Sequence, residues 1–161
     1  MSPRRAAVLT VSDGVSNGTR TDESGPAVEG VLEDAGFETS LSVVADEEDD
    51  IRSRLAELAA ANDLVVTTGG TGFAVRDVTP EATRALIERE APGLAEAMRA
   101  AGRASTPFAD LSRGVAGIVG RAVVLNLPGS PKGAVSSLRA VLDVLPHALD
   151  HLDGATEHRA T

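Results

Sequence analysis

The chain has 161 residues, 42% of them hydrophobic, so it can bury a proper core and reads as globular, not disordered. Its formal net charge of −9 argues against a general polyanion ligand such as DNA, and 2% aromatics leave no stacking platform for single-stranded nucleic acid. Cysteine is absent, which excludes disulfides, thiolate nucleophiles and cysteine metal ligands.

The first element is the apolar run Ala6 to Val11, a strand buried on both faces as in parallel sheets. Ser12-Asp13-Gly14 ends it, and a polar loop follows from Val15 to Asp22. Asp22 or Ser24 then caps a helix with Pro26 in its first turn, Val28, Val31, Leu32 and Ala35 as its apolar face, and Gly36 as its stop. Phe37 to Val44 reads as a second strand. The acidic run Asp46 to Asp50 opens a helix from about Asp49 to Ala61, where acids favour the positive end of the dipole. Asp46 stands apart from that run, because it sits at the carboxyl end of a strand, where open α/β sheets bind ligands.

Leu64 to Thr68 is a third buried strand, broken by Gly69, Gly70 and Gly72. Thr79 suits an N-cap, Pro80 the first helical position and Glu81 the first turn, predicting a helix from Pro80 to about Glu90. Ala91-Pro92-Gly93 interrupts it, and Leu94 to Ala101 forms another helix, stopped by Gly102. Residues 103 to 112 read as irregular or short helical. Gly114 to Val119 and Ala122 to Leu127 read as two strands joined at Gly120-Arg121, an antiparallel pair that makes the sheet mixed. A last helix spans about Gly133 to Leu152, kinked or interrupted by Pro146. Residues 154–161 read as a tail, and the whole of 1–161 as one α/β domain with its core at about 5–152.

No stretch approaches the ~18 apolar residues of a membrane helix, and the N-terminus lacks a hydrophobic signal region, so a cytoplasmic protein is expected. His147 and His151 are four apart and could share a helix face; with His158 they read as surface histidines more readily than as a metal site.

Two loops carry candidate chemistry. Strand, glycine loop and helix around Thr68-Gly69-Gly70-Thr71-Gly72 is an arrangement that presents backbone N–H groups to a phosphate. It is not a P-loop, since no Gly-Lys-Ser/Thr follows, and Gly-x-Gly-x-x-Gly is absent. Asp77 stands in the same loop. A carboxylate beside a phosphate either caps a turn or holds a divalent cation such as Mg²⁺. The second loop is Pro128-Gly129-Ser130-Pro131-Lys132. Lys132 is the chain's only lysine, placed either to meet a phosphate or simply to face solvent.

The run Thr68 to Gly72, with Arg76-Asp77-Val78-Thr79-Pro80-Glu81-Ala82, resembles the signature of the molybdenum-cofactor biosynthesis family of MogA/MoaB-like proteins and the gephyrin G domain. Leu9 to Asp13, Asp22 to Pro26 and Asn126 to Lys132 look like further motifs of that family, in its order. The resemblance implies a three-layer α/β/α, MogA-like fold with a mostly parallel mixed sheet. It implies a molybdopterin adenylyltransferase that moves AMP from Mg-ATP to the terminal phosphate of molybdopterin. Asp46 and Asp77 match the family's catalytic acids and would hold Mg²⁺ directly or through water. Here Asp46 follows alanine where family members often show proline. Some MoaB members lose the acid at position 77; this chain keeps it. Ser12, Asp13, Thr68 to Gly72 and Pro128 to Lys132 would bind substrate. A homotrimer and a molybdate-insertion partner protein are also implied. A non-catalytic molybdopterin carrier and a general nucleotide hydrolase are the alternatives.

Overall fold

The computed structural model describes residues 2–154. Six strands form one sheet in the order β2-β1-β3-β6-β5-β4. They are β1 (Arg5–Val11), β2 (Glu38–Val44), β3 (Leu64–Thr68), β4 (Arg89–Glu90), β5 (Ala116–Val119) and β6 (Ala122–Leu127). β2, β1, β3 and β6 run parallel, while β5 pairs antiparallel with β6 and with β4, as the expected hairpin requires.

Neighbouring residues of the central strands face opposite sides, so an unbroken apolar run serves two cores. Ala6, Val8, Leu64, Val66, Val123 and Leu125 pack into one cluster with α2 (Ser24–Asp34), α5 (Pro92–Arg103), α6 (Pro131–Leu142) and α7 (Leu145–Leu152). Ala7, Leu9, Val11, Val65 and Val124 pack into the other with α3 (Glu48–Ala61) and α4 (Thr79–Arg84). The result is the three-layer α/β/α arrangement. Each fully buried leucine, such as Leu9 or Leu138 at 0% exposure, contributes roughly 1.5–3 kcal/mol by leaving water.

Several expectations are corrected. α4 ends at Arg84, not near Glu90. Glu88 N–H donates to Ile118 O and Ala91 N–H to Ala116 O, which pulls residues 88–91 into the sheet edge as β4. Thr79 is inside α4 and not its side-chain cap; its hydroxyl donates to Gly69 O at 3.0 Å. Pro92 begins α5 instead of interrupting a helix, and α5 runs through Gly102 to Arg103. A short α1 (Asp13–Ser16) occupies the start of the expected loop, capped by Ser12, which accepts from Val15 N–H at 3.2 Å. Asp22 does the capping at the start of α2, accepting from Gly25 N–H at 3.0 Å. The last expected helix is interrupted as expected, but between Leu142 and Leu145, with Pro146 in the first turn of the second segment. The stretch expected to be irregular or short helical does hold a short 3₁₀ helix, Pro107–Leu111. The expected tail lies, beyond Gly154, outside the described residues, as does His158. Among the described residues no helix is long and apolar enough to cross a membrane.

β1 leads outward to β2, and the chain then returns past β1 to β3. The carboxyl ends of β1 and β3 therefore flank a topological switch point, the place where such sheets open a crevice.

Candidate active site

β3 delivers the chain into a bend at Gly69 and Gly70, whose φ values are +91° and +68°. Only glycine takes such angles without strain. The bend is closed from both sides. Gly69 N–H donates to Leu127 O at 3.2 Å, and Thr79 N–H donates to Gly70 O at 3.1 Å. The amide of Gly69 is thus committed to the fold. The second loop sits directly against the first, since a Cβ at Gly129 would lie 3.3 Å from the Gly69 Cα.

Arg113 secures the rest of the glycine loop. Its backbone N–H donates to Thr71 O at 2.8 Å, Nε to Gly72 O at 2.8 Å and Nη2 to Asp77 O at 2.7 Å, while Nη1 pairs with Glu81. One guanidinium fork therefore sets the path from residue 72 to residue 81. Asn126, 2% exposed, does similar work beneath the cleft. Its Nδ2 donates to the hydroxyls of Thr67 and Thr83, and its Oδ1 accepts from Val115 N–H. Sequence reasoning assigned neither side chain a role. Asn126 was visible within a family motif, but no local pattern marks Arg113.

The two acids stand on either side of this bend. A Cβ at Gly70 would lie 3.4 Å from Asp46 Oδ1, and one at Gly72 would lie 2.9 Å from Asp77 Oδ2. Asp77 Oδ2 accepts from Ala74 N–H at 3.0 Å, so the residue caps a turn and also borders the cleft. Asp46 Oδ2 accepts from Asp13 N–H at 2.8 Å, and Asp46 N–H donates back to Asp13 Oδ1 at 3.0 Å. Arg76 grips Asp13 through Nε at 2.6 Å and Nη2 at 3.0 Å, and reaches Glu47 Oε1 at 3.0 Å.

The electrostatics of this group separate its members. Burial, then the nearby carboxylates of Asp13 and Asp77, push the Asp46 carboxyl above the usual aspartate range, against the opposing pull of the Asp13 amide and Arg76. The Arg76 guanidinium, with the Asp46 amide, holds the Asp13 carboxyl below that range. Asp13 and Glu47 in turn raise Arg76 further above its ordinary value.

The cleft has two lobes. The first, about 500 Å³, is lined by Asp22, Glu23, Asp46 and Asp77 with Arg20 as its basic residue. The second, about 650 Å³, is more apolar, with Met98, Phe108 and Leu111 beside Lys132, Ser136 and Ser137. Gly70, Asp77, Gly129 and Ser130 border both. Of the expected site residues, Ser12, Asp46, Thr68, Gly69 and Pro131 face the acidic lobe, and Thr71, Gly72, Pro128 and Lys132 face the other. Asp13 is missing from the described residues that line either lobe; it stands behind Asp46 and holds it. The Thr68 hydroxyl oxygen is buried, accepting from Ser24 Oγ at 3.0 Å. Ser130 caps α6, accepting from Gly133 N–H at 3.1 Å. Among the described residues no group of three or more His, Asp or Glu side chains could by itself hold a metal ion.

Similarity to known proteins points to one family. The family model described as probable molybdopterin binding domain matches residues 7–147. The molybdopterin adenylyltransferase of Helicobacter pylori (strain J99) is 41% identical over 152 residues, covering 91% of this chain and 86% of the relative. The molybdenum cofactor synthesis protein cinnamon of Drosophila melanogaster is 41% identical over 151 residues, covering 91% of this chain, which spans 25% of that longer protein. The crystal structure of the molybdopterin biosynthesis enzyme MoaB from Thermus thermophilus superposes with a TM-score of 0.88 at 52% identity, covering 94% of this chain and 97% of that one. With the glycine bend, its two flanking acids and the second loop all in place on this fold, the chain belongs to the family of probable molybdopterin binding domains.

Proposed function

We propose that the chain is a molybdopterin adenylyltransferase of molybdenum cofactor biosynthesis, acting in the cytoplasm as one domain over residues 1–161. An oxygen of the terminal phosphate of molybdopterin bonds to the α-phosphorus of ATP. The bond from that phosphorus to its bridging oxygen breaks, and pyrophosphate leaves. One observation carries the reading: Asp46 and Asp77 flank the glycine bend where an acidic lobe meets a more apolar one.

The attacking phosphate is already ionised near neutral pH, so no strong general base is required. Catalysis rests on positioning and charge neutralisation. Arg113 and Thr79 hold the glycine bend in one shape, so bound phosphates meet a preorganised backbone. Asp13 and Arg76 orient Asp46. Ser130 and Lys132 approach from the second loop, and the Lys132 ammonium supplies positive charge at the rim of the larger lobe.

Mg²⁺ fits the donor set. Asp46 is a partly buried carboxylate whose ionised form is disfavoured by its surroundings, and a divalent cation beside it reverses that penalty. Two carboxylates with substrate phosphates is a usual Mg²⁺ environment. Asp46 and Asp77 would hold the ion, which when bound neutralises charge on the ATP phosphates. The resemblance also supports a homotrimer and a molybdate-insertion partner protein; light scattering of the purified chain checks the first.

The deciding experiment is pyrophosphate release from Mg-ATP with and without molybdopterin. Release that depends on molybdopterin is expected. Molybdopterin binding without turnover would leave a carrier, and ATP consumption without molybdopterin would leave a hydrolase.

A further inference from the structure

α7 carries His147 and His151 one helical turn apart. Their Nε2 atoms face each other at 3.1 Å, with ring centroids 4.5 Å apart and planes inclined by 63°. Both rings are exposed, while Leu145 and Leu149 on the far side of the helix are buried at 0% and 1% exposure and lock it to the core. Two carboxylates of this helix end are engaged elsewhere. Asp150 pairs with Arg4, and Asp153 pairs with Arg4 and Arg121. Among the described residues, these two imidazoles are the ones whose ring nitrogens face each other here.

Their separation is that of two ligands on one ion. Metal–imidazole bonds of about 2.0–2.1 Å would span this 3.1 Å gap at an N–metal–N angle of about 98°. The angle lies between the about 90° of a square or octahedral shell and the about 109° of a tetrahedral one, so neither ring need move far. The packed helix has already placed both rings, which raises the effective concentration of the second nitrogen once the first has bound. Neutral imidazole suits borderline transition ions, whereas Mg²⁺ prefers oxygen.

We propose that His147 and His151 form a surface chelate for a borderline divalent transition ion of the Zn²⁺ or Ni²⁺ kind, with water completing its shell. The place is remote from the cleft. Arg4, which binds Asp150 and Asp153, precedes β1, whereas the cleft lies beyond the other end of that strand. The chelate therefore stands or falls separately from the adenylyltransferase reading.

The test is calorimetric titration of the full chain with Zn²⁺ in the presence of excess Mg²⁺. One ion per chain is expected. His147→Ala and His151→Ala should each weaken binding by about tenfold or more, because each removes one arm of the chelate. Circular dichroism of both variants should match the wild type, since the replaced rings are exposed. His158→Ala and Asp46→Asn should leave the titration unchanged. Wild-type affinity in His147→Ala, loss of binding in Asp46→Asn, or no binding heat at all would each overturn the proposal.

Discussion

Asp46 and Asp13 exchange hydrogen bonds reciprocally, each carboxylate accepting from the other's backbone N–H, at 2.8 and 3.0 Å. Two acids 33 residues apart in sequence are thereby held as one unit across the ends of β1 and β2. Arg76 neutralises Asp13 and leaves Asp46 as the acid with the disfavoured charge. The two carboxylates are thus held in different electrostatic states, Asp13 paired with Arg76 and Asp46 half-buried beside the cleft.

Asp46→Asn should separate stability from activity. The folded protein raises the Asp46 pKa, so ionisation of Asp46 weakens folding. That cost is absent below the unfolded value of about 3.9 and grows as pH rises through the higher folded value. The variant's melting temperature, relative to wild type, should therefore rise between about pH 4 and pH 7. Its amide oxygen can still accept from Asp13 N–H. Molybdopterin-dependent pyrophosphate release should nevertheless fall by about tenfold or more. A variant as active as wild type would remove Asp46 from catalysis.

Asp13 has the opposite sign. Its folded pKa is lowered by Arg76, so its stabilising contribution is present above the unfolded value and disappears as pH falls through the folded one. Arg76→Ala should weaken that acid-side dependence, read as melting temperature against pH, without removing it, because the Asp46 N–H still donates to Asp13. Because Arg76 is 53% exposed, the change at neutral pH should be small and salt-sensitive. Turnover should fall severalfold as Asp46 loses its brace.

Arg113→Ala should cost about 1–3 kcal/mol in chemical denaturation, because the carbonyls of Gly72 and Asp77 lose their donor. The kinetic signature should be a lower kcat with a smaller change in KM, since the loop still forms but no longer in one shape. Arg113→Lys should not restore kcat, because a point ammonium cannot reproduce three divergent donors. Full rescue by lysine would mean that charge alone mattered.

Gly70→Ala and Gly120→Ala can be compared directly. Both glycines have positive φ, +68° and +60°. At Gly120 an added Cβ meets nothing within 4 Å, whereas at Gly70 it would collide with the Thr79 hydroxyl. Gly120→Ala should cost roughly 1–2 kcal/mol from backbone strain and leave activity intact. Gly70→Ala should cost more and abolish turnover. Equal losses in denaturant midpoint would show that the bend tolerates the crowding.

Much of the architecture was written in local patterns. The continuous apolar runs at 6–11, 64–68 and 122–127 require burial on both faces, and a two-sided sheet is what supplies it. The glycines after Thr68 required positive φ or close approach, and the long signature from Thr68 to Ala82 was enough to identify the family. Asp46 stood out in the sequence because it sits just past a strand end, where this kind of sheet opens, and Asp77 because it stands in the glycine loop just ahead of a helix.

Tertiary structure decided the rest. Residues 88–91 have helical composition, yet pairing with β5 drew them into the sheet. Asp13 reads from sequence as a ligand contact, and only the fold shows that it exchanges hydrogen bonds with Asp46. The Arg113 guanidinium bonds to partners 32 to 41 positions away, which no spacing rule can register. Periodicity reports how a residue stands relative to its own helix or strand, and so it determined the elements and their buried faces. A guanidinium's partners depend on which loops the closed fold brings within hydrogen-bond reach, and those distances exist only once the sheet has assembled.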